Sequence, residues 1–167
     1  MSAGRTGKQL GAVSGDPPRV YMDACCLNRP FDDQAQHRVR LEAAAVLVLL
    51  SLAEAGSVEW VGSEVIQWEI SLNPDPHKGA RVAALAGQAT TIVRVGPSEQ
   101  ERARELEQAG LTAYDALHLA CAEAAGVDVF PTTDDRLLRK SARPDVGTRV
   151  RTCNPLSWLE EVLADGE

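Results

Sequence analysis

Four acidic residues stand where carboxylates can do more than solubilise a surface. Asp23 closes the short β-prone run RVYMD, Glu69 lies inside SEVIQWEI, Asp115 opens an alanine-rich segment, and Asp134 follows two threonines beyond another strand-like run. Taken singly, each has an ordinary reading. An acid at a strand end is commonly a turn or cap residue, Asp115 suits a helix first turn, Glu69 suits a solvated face, and either Asp134 or Asp135 could cap a helix. Taken together they supply hard oxygen ligands for Mg2+ or Mn2+, ions that keep several waters, activate one as a nucleophile and stabilise a leaving oxygen. That is the chemistry of phosphodiester hydrolysis. Without metal, such a cluster predicts mutual repulsion and at least one raised carboxyl pKa.

Other residues with reactive side chains fit no comparable pattern. Cys25, Cys26, Cys121 and Cys153 lack CxxC spacing, and two adjacent cysteines disfavour a mutual disulfide, so they read as reduced thiols. His37, His77 and His118 do not bracket them at the spacing of a zinc site. His118 lies one turn after Asp115 and reads as a helix-packing residue rather than a ligand.

The four acids are far apart in sequence, so a particular fold must gather them. A strand over residues 19–23 precedes a largely buried helix over 36–55 that Gly56 closes. A strand over 57–61 leads to a helix that Ser63 caps and that Asn73 and Pro74 stop after Leu72. A helix over 77–89 and a strand over 91–95 follow. Ser98 and Glu101 then stand in capping-box register for a polar helix ending at Gly110. Thr112 and Asp115 form a second cap pair for a helix over 113–125, which Gly126 closes before a strand over 127–131. A helix over 136–142, a strand near 149–152 and a helix begun by Asn154 and Pro155 complete the pattern. Alternating strands and helices predict right-handed βαβ units and a parallel sheet covered on both faces. Sites in such sheets lie at strand carboxyl ends, where Asp23 and Asp134 fall.

Composition sets the outer limits. With 167 residues, 44% hydrophobic and 25% charged, the chain suits one globular domain rather than a disordered or fibrous protein. The longest apolar run, residues 43–50, is too short for a membrane helix, which needs about 20 residues. Residues 1–18, rich in Gly, Ser and Pro, read as a loose tail before a domain over 19–165, and the lack of a signal-like stretch there points to the cytoplasm. A net charge of −7 argues against affinity by blanket phosphate neutralisation, unless a bound cation reverses the field locally.

The runs YMDACCLNRPFDD, SEVIQWEI, LTAYDALHLACAEAAG and VFPTTDDRLLR, in this order and spacing, resemble the PIN-domain family over nearly the whole chain, about 19–163. The resemblance implies a three-layer α/β/α sandwich with a central parallel sheet and a metal-dependent ribonuclease. It implies Asp23, Glu69, Asp115 and Asp134 as the metal-holding and catalytic acids, with Mg2+ or Mn2+ as cofactor. Within the second motif it favours Glu69 over Glu64. In the fourth it favours Asp134, with Asp135 as fallback and Thr132 as a supporting hydroxyl. One departure is Ala24, where the family often has a small hydroxyl residue after the first acid. Many bacterial members are toxins of the VapC type, so an antitoxin protein is an implied partner beside the RNA substrate, and a homodimer would enlarge an RNA surface that one acidic cleft offers sparingly.

Arg29, Arg38 and Arg40 near the first motif, and Arg136, Arg139, Lys140 and Arg143 after the fourth, are candidates for holding phosphate. Arg136 and Arg139 are favoured because they fall within about a turn of Asp134. No aromatic stacking platform stands out. Two other readings compete: an inert PIN-like module that binds protein or RNA, and a receiver-like phosphotransfer domain. The second wants an acidic pair and a late-strand lysine, whereas the region near Val150 offers arginines.

Overall fold

The computed structural model describes residues 15–166, so most of the tail expected over 1–18 lies outside the described residues. Five strands form one sheet: β1 (Arg19–Tyr21), β2 (Glu59–Ser63), β3 (Thr91–Val93), β4 (Val129–Pro131) and β5 (Arg151–Cys153). They pair in the order β3-β2-β1-β4-β5, and every pairing is parallel. Among the described residues the helices are α1 (Ala24–Asn28), α2 (His37–Glu54), α3 (Glu64–Ser71), α4 (Pro76–Ala86), α5 (Pro97–Gln108), α6 (Ala113–Ala124), α7 (Asp135–Ser141) and α8 (Pro155–Asp165), with a 3-10 turn at Arg29–Phe31. The expected three-layer α/β/α sandwich is the architecture found.

The strand order explains how separated acids meet. The chain runs from β1 outward through β2 to β3, then returns across the sheet to β4 and continues to β5. Right-handed crossovers that run toward opposite edges put their helices on opposite faces. The α2 connection therefore lies across the sheet from α5 and α6, which pack together, while α2 packs on α8. The order of travel reverses between β1 and β4, whose Val20 and Val129 are paired. Beyond the carboxyl ends of two such strands the loops diverge and leave a crevice.

The core lies at the same junction. Val20, Tyr21, Val61, Leu49, Leu106, Leu119 and Phe130 are fully buried, and the Tyr21 ring stacks on Phe130 with centroids 5.1 Å apart. Schellman geometry ends three helices: in α2 the N–H of Ser57 donates to the Leu52 carbonyl, in α5 that of Leu111 to the Leu106 carbonyl across Gly110, and in α6 that of Val127 to the Ala122 carbonyl. Each places a glycine at positive φ, among them Gly56 at φ 76° and Gly126 at φ 63°, as the sequence led one to expect.

Several boundaries differ for identifiable reasons. β1 stops at Tyr21 because Asp23 is the N-cap of α1, a helix too short to show any periodicity. The cap of α5 is Gly96, not Ser98: Pro97 occupies the first helical position, and the Glu99 carboxylate accepts from the Gly96 N–H at 2.9 Å. Strand β2 runs two residues later than expected, ending at Ser63, whose hydroxyl accepts from the Ile66 N–H to cap α3.

Candidate active site

Asp23 lies two residues past β1 and is 3% exposed. Its Oδ1 accepts from the Cys26 N–H at 3.0 Å and its Oδ2 accepts from the Thr132 hydroxyl at 2.7 Å. Burial, which strips water from the anion, raises its carboxyl pKa from 3.8 to about 6. The hydrogen bonds from Thr132 and Cys26 pull it back, and Glu69 adds a smaller upward push. The raised pKa expected from repulsion is thus present, with desolvation rather than repulsion as its main cause. Thr132, the expected supporting hydroxyl, is fully buried and also accepts from the Asp134 N–H at 3.1 Å, while Ala24 contributes no hydroxyl.

Asp134 does act as an ordinary cap, because its Oδ1 accepts from the N–H groups of Arg136 and Leu137 at 2.9 and 3.4 Å. Its Oδ2 has no hydrogen bond among the described residues. Asp135 is gripped by both terminal nitrogens of Arg38 at 2.7 Å, which lowers its pKa and holds it on the surface. Of the neighbouring pair, Asp134 lines the cleft. Glu64 is likewise engaged elsewhere, accepting from the Val95 N–H at 2.9 Å.

Glu69 lies on α3 and reaches His118 on α6, where His118 Nε2 and Glu69 Oε2 are 2.8 Å apart. Asp115, one turn earlier on α6, has its N–H capped by the Thr112 hydroxyl at 3.3 Å. Its pKa is raised, first by burial and then by Asp134 and Glu69, with Thr112 and His118 opposing. Cys25 lies near enough to all four acids for their charges to act on its thiol. It is solvent-exposed, yet its thiol is held well above the ordinary range by the surrounding protein mass and then by Asp23, Asp134, Glu69 and Asp115 in turn.

Of the four acids, Glu69 and Asp134 line an open cleft of about 630 Å³ together with Ala24, Cys25, Thr133, Arg29 and Lys78, whereas Asp23 and Asp115 are not part of its wall. Among the described residues Asp23, Asp115 and Asp134 form no ion pair with Lys or Arg, and Glu69 pairs only with His118. Some acids elsewhere are paired, Asp32 with Arg29 and Lys78, Glu59 with Arg19, Glu123 with Arg102, and Glu161 with Arg151, while others such as Asp33, Asp75 and Glu107 have no such partner among the described residues. A group of hard oxygen donors left without basic partners fits a divalent cation in chemistry. Among the described residues, however, no three His, Cys, Asp or Glu side chains are drawn close enough together to enclose an ion.

The cationic surroundings differ from the sequence reading. Lys78, which the sequence did not single out, lies on the cleft, while Arg136 and Arg139 do not line it. Arg38 is occupied by Glu42 and Asp135, and Arg143 by Asp145. An aromatic surface is present after all: Trp68, next to Glu69, is 60% exposed and donates its indole N–H to the Tyr114 hydroxyl at 2.9 Å. His118 is the other residue whose importance was missed. It is 49 residues from Glu69, and no local spacing signals a pair formed by packing α3 against α6. No helix among the described residues is long and apolar enough to cross a membrane.

A doubly wound parallel sheet with unpaired carboxylates at its carboxyl edge defines a class of α/β protein with an acidic cleft at the switch point. The family model described as PIN domain matches residues 20–143, and the chain belongs to the PIN-domain family, whose members are generally nucleases. No curated protein matches it. Among solved structures it is similar in fold to PAE2754 from Pyrobaculum aerophilum, at 18% identity and a TM-score of 0.50, covering 88% of this chain and 90% of that one.

Proposed function

We propose that this PIN-domain protein is a ribonuclease that depends on Mg2+ or Mn2+ and uses Asp23, Glu69, Asp115 and Asp134 to hold the ion. The observation that supports the reading is that Asp23, Asp115 and Asp134 have no Lys or Arg partner among the described residues, that Glu69 pairs only with His118, and that the charges of all four bear on the Cys25 thiol at the mouth of the cleft. When bound, a divalent ion there supplies Lewis-acid stabilisation of a phosphoryl oxygen and an activated water. The chain's own residues do the rest. Thr132 and the Cys26 N–H fix the rotamer of Asp23. The N–H groups of Arg136 and Leu137 fix Asp134, and Lys78 on the cleft wall, now shared with Asp32, could exchange that partner for the phosphate backbone.

In this reading Asp115→Asn, which removes a charge at constant volume, abolishes cleavage of a single-stranded RNA in Mn2+ and leaves the melting temperature within a few degrees of wild type. Retained cleavage in that variant defeats the assignment. A second reading, an inert binding module, is favoured by the absence of a preformed three-ligand cluster among the described residues. It requires that Mn2+ give no melting-temperature rise that depends on Asp23.

The proposal extends to a VapC-type toxin in the cytoplasm, held in check by an antitoxin, and to pairing of two protomers; the motif resemblance supports this extension. Expression of the chain alone should then arrest growth, and Asp23→Asn should relieve it. Harmless expression of a protein that cuts RNA in vitro removes the toxin role and leaves the nuclease.

A further inference from the structure

His118 is 2% exposed and uses both ring nitrogens. Nε2 lies 2.8 Å from Glu69 Oε2, and Nδ1 lies 2.7 Å from the Tyr21 hydroxyl, which is itself 2.6 Å from Ser63 Oγ. Ser63 Oγ in turn accepts from the Ile66 N–H at 3.3 Å. The polarity of this chain follows from the groups in it. An ionised carboxylate only accepts, so Nε2 carries a hydrogen and donates to Glu69. In the neutral ring Nδ1 then accepts from Tyr21, and the Tyr21 oxygen accepts from Ser63, whose own oxygen takes the Ile66 N–H. Every side-chain polar atom of His118, Tyr21 and Ser63 is satisfied. If the ring is charged, the two hydroxyl bonds reverse and the donation to Glu69 is unchanged.

Four elements are tied by these bonds. Tyr21 is on β1 two residues before Asp23, Ser63 ends β2 and caps α3, Glu69 lies on α3, and His118 lies one turn beyond Asp115 on α6. The elements that carry three of the four acids therefore share one buried connection. The Tyr21 ring also meets the His118 ring edge-on at 5.8 Å, which fixes the imidazole plane. Only Oε2 of Glu69 is used, so Oε1 is left for the cleft.

We propose that His118 is a positioning residue for Glu69: its Nε2–H fixes the carboxylate so that the remaining oxygen faces the shared acidic cleft, and Tyr21 and Ser63 fix His118. The proposal rests on the reading of Glu69 as a metal-holding acid.

The test is calorimetric titration of Mn2+ into wild type, Asp23→Asn, His118→Asn and His118→Gln, without substrate. A Gln side chain reaches the Nε2 position and can donate to Glu69, whereas Asn reaches only the Nδ1 position. Outer hydrogen-bond partners of metal ligands are commonly worth about 10–100-fold in affinity. His118→Asn should therefore weaken Mn2+ binding about tenfold or more, and His118→Gln should recover most of the loss even if both variants melt at the same lowered temperature. Nitrogen NMR of the wild-type imidazole should show Nε2 protonated. Equal Mn2+ affinity in wild type and His118→Asn overturns the positioning role, as does equal loss in the Asn and Gln variants. Should His118→Asn fail to fold, Tyr21→Phe, which removes one oxygen from the same chain, decides: weaker Mn2+ binding supports the role and unchanged binding overturns it. Wild type that binds no Mn2+, or binds it as well with Asp23→Asn, overturns the metal reading itself.

Discussion

Asp23, a proposed metal-holding acid, carries a cost in stability for being buried as an anion. Its carboxyl is held at about 6 in the fold against an ordinary 3.8, so the folded chain binds that proton more tightly than the unfolded chain does. The favourable contribution of protonation is complete below about 3.8 and disappears as pH rises through about 6. At neutral pH the metal-free fold bears the cost of a buried anion, on the order of 3 kcal/mol as an upper bound. Acidifying the chelated protein from pH 7.5 to 5 should therefore raise its stability through this group. Asp23→Asn should lack that component and be about 1–2 kcal/mol more stable at pH 7.5, after allowance for a poorer match to Thr132. Denaturant unfolding in chelator at the two pH values checks both, and a variant less stable than wild type at pH 7.5 contradicts the argument.

At the scale of elements, the buried Glu42 on α2 has a structural role separate from the site. It is 1% exposed and receives Arg38 at 3.2 Å, Arg29 at 3.5 Å and the Asn154 amide at 2.6 Å, joining α2 to α8 and to the turn after α1. Removing Glu42 leaves the Asn154 amide without its acceptor, while Arg38 keeps Asp135 and Arg29 keeps Asp32, so the cost is about 1–3 kcal/mol. Glu42→Ala should thus lower unfolding free energy by roughly that amount without altering Mn2+ affinity, measured by denaturant unfolding and calorimetry. A cost below about 1 kcal/mol would show the hub to be dispensable.

The same scale separates what was readable from what was not. Alternating strands and helices, glycine closures at Gly56 and Gly126, and the Asn154–Pro155 helix start were all visible, because each depends on neighbours within a turn or two. Helix α1 was not, since five residues leave no period, and Ser98 misled because the helix starts at Pro97, two residues earlier than a Ser98 cap implies. The placement of Asp23 and Asp134 at strand ends followed from the alternation of elements. The contacts of Glu69 with His118, and of Glu42 with Asn154, did not, because they depend on how separate helices pack.

For the whole molecule, a net charge of −7 means that an RNA substrate, as proposed, would have to be held by a few local cations rather than by the overall field. Lys78 on the cleft, bound to Asp32 at 2.8 Å, is the strongest candidate by position. Lys78→Ala should weaken binding of single-stranded RNA and reduce the slope of log affinity against log salt by roughly one contact, with no effect on Mn2+ affinity. An unchanged slope would move the RNA path elsewhere, with the exposed Trp68 next to Glu69 as the nearest aromatic surface.

The central claim is that four carboxylates from separate elements serve one divalent ion. Anomalous diffraction from crystals soaked in Mn2+ tests it most directly. The account predicts a peak within about 2.5 Å of carboxylate oxygens of Asp23 and at least one of Glu69, Asp115 and Asp134, absent from Asp23→Asn crystals. A peak on other residues, or none at Mn2+ concentrations that support RNA cleavage, would contradict it.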